Sequence, residues 1–194
     1  MKLRKLEIEV LRYDPEQDSE PRYETFEVEI DEDLAILDAL RDIKEEQDSS
    51  LAFRWSCHMM VCGSCGMMVN GRPPLACKTL TSDLDDKVRL HPLPAFKLIG
   101  DLSVDTGTWF RAMAERVGAF IKEKAPFDPD ALEERMDDDL AQAIYESDRC
   151  IECGCCVASC GVANVKPGFV APAGMNRIAR FMMDPRDART DGDW

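Results

Sequence analysis

The sequence contains no apolar run approaching the roughly 18 residues that indicate a membrane-spanning helix. Its first residues, MKLRKLEIEVLRYD, lack the apolar stretch of a secretory signal peptide, so we expect no export signal. Basic residues are also scarce, with 24 Lys and Arg against 38 Asp and Glu and a net charge of −14. Nucleic-acid phosphates and anionic lipid surfaces both attract basic proteins. We therefore expect no nucleic-acid partner, and membrane attachment only through other proteins.

The groups that usually carry out substrate chemistry are missing as well. The sequence shows no acid–base pair, no nucleophile motif and no phosphate-binding loop. Cysteine, by contrast, is abundant, with nine residues among 194. In a chain without an export signal this abundance indicates metal or redox chemistry rather than disulfide bonds, and an odd count would leave one cysteine unpaired.

Four cysteines in the first half follow the spacing C-x4-C-x2-C-x11-C, which is the ligand spacing of a plant-type [2Fe–2S] ferredoxin loop. They are Cys57, Cys62, Cys65 and Cys77. Glycines between them allow the backbone to turn its N–H groups toward sulfur. The alternatives are structural zinc or unligated buried cysteines, but zinc sites usually combine two C-x2-C pairs and this half has one. His58 lies inside the loop, and we expect it to be exposed because four cysteines complete the ligand set.

Four further cysteines follow the spacing C-x2-C-x2-C-x3-C of bacterial ferredoxins, in which the fourth cysteine binds a different cluster from the first three. They are Cys150, Cys153, Cys156 and Cys160. The first three are therefore predicted to bind a [4Fe–4S] cubane and Cys160 a neighbouring cluster. Cys155 breaks the spacing, so we expect a buried cysteine that is not a ligand.

The second set cannot complete its coordination from these residues, because no cysteine follows Cys160. Three explanations are open: the natural chain continues beyond Trp194, the second site is defective, or a partner supplies the missing thiolates. The abrupt ending DARTDGDW favours a truncated chain.

Apolar periodicity predicts an α+β protein with a boundary near residue 98. Strands are predicted over 3–13, 22–30 and 87–90, and a hairpin is predicted over 66–79. Between the second strand and the hairpin, a helix is predicted that is capped by Asp31 or Asp33 and ends near Gln47. Helices are predicted over 103–124, from about Leu132 to Cys150 after an interruption at 125–129, and over 175–182. Residues 1–98 then form a β-grasp [2Fe–2S] ferredoxin domain, and residues 99–194 form an incomplete all-helical domain like that of bacterial ferredoxins.

The stretches RWSCHMMVCGSCGMMVNGRPPLACKT, IGDLSVD and DRCIECGCCVASC closely resemble one family along essentially the whole chain. This is the iron–sulfur subunit of succinate dehydrogenase and fumarate reductase, the complex II family. The resemblance implies that electrons pass between a flavin and a membrane quinone through [2Fe–2S], [4Fe–4S] and [3Fe–4S] clusters. It assigns Cys160 to the [3Fe–4S] cluster. The other seven predicted ligands keep the clusters that their spacing predicts, which are the [2Fe–2S] cluster for the first set and the [4Fe–4S] cluster for the rest.

The resemblance also implies partners: an FAD-containing flavoprotein, cytochrome b-type membrane-anchor subunits and a quinone at their interface. The chain would then lie peripherally on the cytoplasmic side of the inner membrane. Two departures are present, since family members carry a further helical stretch with three cysteines, and many have proline where this chain has Gly161. The segments SCGVANVK and GMNRIARFMMDPRDARTD are more similar to the menaquinone-linked branch.

Two functions of other classes remain as alternatives. A free ferredoxin that diffuses between partners would suit the first half, although the long helical extension argues against it. A zinc-stabilised interaction module would be colourless, whereas an iron–sulfur protein is brown.

Overall fold

The computed structural model describes residues 2–124, 126, 128–132, 135–166 and 168–194. Its first lobe contains a four-stranded mixed sheet built from β1 (Leu3–Arg12), β2 (Arg22–Asp31), β3 (Met68–Val69) and β4 (Lys87–His91). The strand order is β2-β1-β4-β3, in which β1 is antiparallel to β2 and parallel to β4, and β3 is antiparallel to β4. A hairpin joined to a central parallel pair is the β-grasp arrangement, so the predicted α+β fold is confirmed.

The sheet and a single helix enclose the main core. Alternation along β1 buries Ile8 and Val10 completely, and helix α1 (Ile36–Asp42) buries Leu37 and Leu40 against them. Alternate residues of a strand share one face, and removing apolar surface from water contributes about 25 cal/mol per Å². The two predicted strands are therefore confirmed nearly to the residue.

The start of α1 differs from its predicted cap. Neither Asp31 nor Asp33 caps the helix, whose N-cap is Ala35. The Asp38 carboxylate instead reaches back and accepts a hydrogen bond of 3.0 Å from the Ala35 N–H. The helix continues as a wider turn over Ile43–Gln47, so its predicted end is confirmed.

The predicted hairpin over 66–79 is reduced to the short strand β3 and isolated bridges, which pair Gly66 with Leu75 and Val69 with Arg72. The turn at Asn70 is confirmed by its left-handed backbone, with φ of 47°. The sequence Pro73-Pro74 follows this turn, and proline has no N–H to donate to a ladder. A longer strand pair cannot form there.

Two strands that were not predicted lie across the expected boundary at residues 98 and 99. These are β5 (Lys97–Gly100) and β6 (Ser103–Asp105), and Asp101 lies in the turn between them. The buried Asp101 carboxylate accepts hydrogen bonds from the N–H groups of Tyr13 (2.8 Å) and Ala52 (2.7 Å). It thereby joins the end of β1 to the segment that leads into the first cysteine loop.

The rest of the chain is helical. The helices are α2 (Thr106–Val117), α3 (Asp138–Asp148), α4 (Cys155–Ala158), α5 (Gly161–Val165) and α6 (Ala171–Met183). Helix α2 is shorter than predicted because Gly118, with φ of 87°, turns the chain out of the helix. Helix α3 begins later than Leu132 because the Asp137 side chain caps it by accepting the Asp139 N–H. The predicted interruption at 125–129 and helix start at 132–134 fall partly outside the described residues.

Candidate iron–sulfur centres

The first cysteine loop curls around a single sulfur atom. The Cys57 Sγ accepts hydrogen bonds from the N–H groups of Met59 (3.3 Å), Val61 (3.4 Å) and Cys62 (3.3 Å). His58 and Met60 have positive φ values of 56° and 59°, a conformation that costs about 1–3 kcal/mol at each non-glycine residue. The loop is therefore shaped to place several N–H donors on one thiolate, as an anion-binding nest does.

The four thiols of the first set form two neighbouring pairs. Cys57 lies beside Cys62 through the N–H contact just described. Cys77 is held beside Cys65 because the adjacent Ala76 N–H donates to the Cys65 carbonyl oxygen at 3.0 Å. Among the described residues, no three His, Cys, Asp or Glu side chains surround a single metal-ion position. Two pairs of thiolates suit a two-iron cluster, in which each iron takes two of them.

Burial and hydrogen bonding separate the acidities of these thiols. A hydrogen bond from the Ser64 side chain is the largest influence that lowers the pKa of Cys62, to about 6. Burial raises the pKa of Cys65 to about 11, and the neighbouring Cys77 adds to this rise. Thiolate is the form that binds iron, so Cys62 is the better prepared ligand, and a positive cluster would compensate the buried charge on Cys65.

His58 is exposed, as expected, and packs on a neighbouring aromatic ring. Its exposed ring packs edge-on against Trp55 with the ring centroids 4.9 Å apart. Nearby, the loop presents an apolar surface to solvent, made by Met59, Met60 and Val61, whose exposed fractions are 69%, 50% and 63%. We call these three residues the loop apex.

The second cysteine set wraps around the start of α4. Residues Glu152 and Gly154 have φ values of 51° and 84°, and these two left-handed residues turn the chain between successive cysteines. The pKa of Cys156 is raised, first by loss of hydration and then by the charges of Cys150 and Cys153. The three predicted [4Fe–4S] ligands thus lie within electrostatic reach of one another.

Cys160 lies beyond the other end of α4 and precedes α5. The Asn164 side-chain amide donates to the carbonyl oxygens of Ala158 (3.1 Å) and Cys160 (2.9 Å), which fixes the backbone there. Cys160 thus follows α4, whereas Cys156 lies within that helix and Cys150 and Cys153 precede it. Glu152 forms an ion pair with Arg177 of α6.

Cys155 lies between the two cysteine sets. Its Sγ is 3.6 Å from the Pro74 carbonyl oxygen. A hydrogen bond to Cys153 together with burial raises the pKa of Cys155, while the same bond lowers the pKa of Cys153 to about 6. Cys155 is half-buried rather than buried as expected, and its place outside the ligand sets stays a prediction.

The two cysteine loops touch through glycines. A Cβ placed on Gly63 would lie 2.8 Å from Cys153 Cβ, and one on Gly66 would lie 3.2 Å from Cys155 Sγ. Gly63 directly follows the predicted ligand Cys62 in the sequence. The spacing predicted each loop, but it held no sign that the loops meet.

Within the part of the chain that the structure describes, none of the helices has both the length and the apolar character needed to cross a bilayer.

The fold and the first cysteine loop together define an iron–sulfur protein with a β-grasp ferredoxin lobe. A family model described as "2Fe-2S iron-sulfur cluster binding domain" matches residues 7–111. The fumarate reductase iron-sulfur subunit of Wolinella succinogenes is 50% identical over 193 residues, covering 98% of this chain and 81% of that protein. The subunit of the same name from Haemophilus influenzae is 37% identical over 191 residues, covering 94% of this chain and 75% of that protein.

A solved structure, the Mycobacterium smegmatis Sdh1 complex in the apo form, contains a chain that superposes with a TM-score of 0.85. The two are 28% identical, and the match covers 95% of this chain and 77% of that one. The chain belongs to the family of fumarate reductase and succinate dehydrogenase iron–sulfur subunits. It is an electron-transfer subunit of an oxidoreductase complex.

Proposed function

We propose that this chain carries single electrons between a flavin and a membrane quinone through three clusters. Cys57, Cys62, Cys65 and Cys77 hold the [2Fe–2S] cluster, Cys150, Cys153 and Cys156 hold the [4Fe–4S] cluster, and Cys160 holds the [3Fe–4S] cluster. When bound, such clusters supply reversible one-electron chemistry. The proposal also keeps the two domains, 1–98 and 99–194, as the units that hold the first cluster and the other two.

The observation that carries the proposal is the contact between the two cysteine loops. A free carrier needs one cluster near its surface, whereas here Gly63 of the first loop lies against Cys153 of the second. The N–H donors on Cys57 favour a more negatively charged sulfur and so raise the tendency of this site to accept an electron. The chain's own contribution is thus to hold two electron-transfer sites next to each other and to adjust their potentials.

The nine cysteines comprise the eight proposed ligands and Cys155, so any further cysteine ligand of the second and third clusters would come from outside these residues. The similar Wolinella succinogenes subunit is longer than the matched region, which covers 81% of it.

The loop apex is the proposed docking site for the flavin-containing subunit. Its three adjacent apolar side chains are 50–69% exposed, and they lie on the first cysteine loop, where an electron would enter or leave. Burying these side chains in a partner would remove apolar surface from water and exclude solvent from the loop. We further propose a membrane-anchor subunit of the cytochrome b type at the helical lobe, a menaquinone-type quinone, and a peripheral position on the cytoplasmic side of the membrane.

The test compares Cys57→Ser with Cys155→Ser in the assembled complex. Serine at position 57 replaces the sulfur that three N–H groups surround, so the reduced [2Fe–2S] EPR signal should be lost or altered. Dye-linked succinate oxidation at the flavin should survive, while quinone-linked activity falls. Cys155→Ser changes a cysteine that is not a ligand, so iron and sulfide contents should stay at the level of the unchanged protein. Full quinone-linked activity in Cys57→Ser would contradict the assignment.

A further inference from the structure

The close contact between the two cysteine loops depends on glycine at two positions. Gly63 is buried, has φ of 72°, and offers no room for a side chain, since an added Cβ would lie 2.8 Å from the Cβ and 2.9 Å from the Cα of Cys153. Carbon atoms normally approach to about 3.5–4.0 Å. A methyl group at Gly63 would therefore push the two backbones apart by about 0.7–1.2 Å, given that spacing.

Gly66 makes the neighbouring contact under different backbone conditions. It does not have a positive φ, and an added Cβ would lie 3.2 Å from both the Cys153 carbonyl oxygen and Cys155 Sγ. The Cys155 thiol in turn lies 3.6 Å from the Pro74 carbonyl oxygen, on the segment between Gly66 and Cys77. The second loop is therefore enclosed by the first loop from two sides.

The contact joins a neighbour of a proposed ligand of the first cluster to a proposed ligand of the second cluster. Gly63 is bonded to Cys62, and Cys153 is itself a proposed ligand, so a single van der Waals step separates the two covalent paths. Electronic coupling falls steeply across each gap through space, so a route with one short gap favours transfer.

We propose that the Gly63–Cys153 contact is the electron route between the first and second clusters, and that Gly63 and Gly66 are positioning residues that set its length. This inference rests on the proposed function, because it takes Cys153 as a cluster ligand. In each passage one electron would leave the reduced cluster of the pair and enter the oxidised one, in either direction. The donor is oxidised by one electron and the acceptor is reduced by one, with no bond made and no proton moved.

Gly71 provides a matched control for Gly63. Its φ is 77°, close to that of Gly63, but nothing lies within 4 Å of a Cβ built there. Gly71→Ala therefore introduces the same backbone strain as Gly63→Ala without separating the loops. Gly66→Ala provides the complementary test, because its added Cβ would press on the second loop while its backbone has no positive φ to strain.

The experiment uses the assembled complex and three variants, Gly63→Ala, Gly66→Ala and Gly71→Ala. Iron and sulfide contents establish that both clusters are present. EPR power saturation and line broadening of the reduced [2Fe–2S] signal then report its magnetic interaction with the reduced [4Fe–4S] centre, which weakens as they separate. Rapid-freeze kinetics after reduction at the flavin measure transfer between them.

We expect weaker interaction and slower transfer in Gly63→Ala, a smaller loss in Gly66→Ala, and none in Gly71→Ala. Unchanged interaction and transfer in a Gly63→Ala complex that retains both clusters would overturn the route but leave the proposed function intact. Absence of a [4Fe–4S] signal from the unchanged complex would instead overturn the proposed function. If Gly63→Ala and Gly66→Ala both lose a cluster while Gly71→Ala keeps both, the glycines serve cluster retention and the proposal is wrong.

Discussion

Replacing Asp101 with asparagine should weaken the whole junction between the sheet and the first cysteine loop. One carboxylate oxygen accepts the Tyr13 N–H at 2.8 Å and the other accepts the Ala52 N–H at 2.7 Å. The buried Arg12 guanidinium lies 3.2 Å away, with 6% of its side chain exposed against 7% for Asp101. Asparagine keeps one acceptor, places an NH₂ group opposite a donor, and removes the negative charge beside Arg12.

The size of the effect follows from these contacts. A hydrogen bond to a charged group contributes about 1.5–3 kcal/mol, and removing one partner of a buried ion pair costs about 3–5 kcal/mol. Arg12 keeps Asp48 and Glu24 as partners, so we expect a loss of about 3–4 kcal/mol, near the lower end of that range. With a urea m-value of about 2–3 kcal/mol/M, the unfolding midpoint should fall by about 1–2 M.

Urea unfolding of the cluster-loaded protein, followed by tryptophan fluorescence and by visible cluster absorbance, measures this change. Asp86→Asn is the control, because Asp86 pairs with Arg4 while 82% of its side chain is exposed. Such surface pairs contribute about 0–1 kcal/mol, so the control midpoint should hardly move. An Asp101→Asn midpoint within the error of the Asp86→Asn midpoint would refute the reasoning.

Three further outcomes are expected. Gly154→Ala should shorten the half-life of iron retention, because φ is 84° there and an added Cβ would lie 2.8 Å from Phe96. If Gly154→Ala retains iron as long as Gly71→Ala does, the Phe96 contact has no role in retention. Cys155→Ala should keep its iron but lower the [4Fe–4S] potential by about 40 mV in a redox titration, if the hydrogen bond to Cys153 favours the reduced state by about 1 kcal/mol. Asp48 has its pKa lowered from 3.8 to about 2, chiefly by the Ser50 hydrogen bond, so it stabilises the fold above pH 3.8 and loses this effect as pH falls toward 2. The urea midpoints of wild type and Asp48→Asn should therefore converge toward pH 2, and a constant difference would contradict this.

Local patterns in the sequence predicted local features well. Alternation in β1 and β2 and the left-handed turn at Asn70 follow from side-chain periodicity and backbone preference, and the structure confirms them. The helical half was predicted less accurately, since apolar periodicity continued past Gly118, where the backbone leaves the helix. Strands β5 and β6 were missed because they are only four and three residues long, too short to show alternation.

The features that organise the candidate site come from long-range contacts. Gly63 and Cys153 are 90 positions apart in a chain of 194 residues, and Asp101 binds the backbone of both Tyr13 and Ala52. Spacing rules specify which cysteines share a loop, but they carry no information about which loops meet in space. Only a glycine without room for a Cβ, or a buried carboxylate with two backbone donors, reveals that meeting.

The bent backbone of the first cysteine loop also sets an order for maturation of the subunit. The core under β1 and α1 is packed almost entirely from apolar side chains, although Cys65 is buried among them. His58 and Met60, in contrast, each hold a left-handed conformation that costs about 1–3 kcal/mol. Bonds from the thiolates to iron are the natural compensation for that cost, so the loop should close as the metal enters. A newly made chain would then present a finished sheet with an open, reactive cysteine loop, and iron delivery would be the last folding step of this lobe.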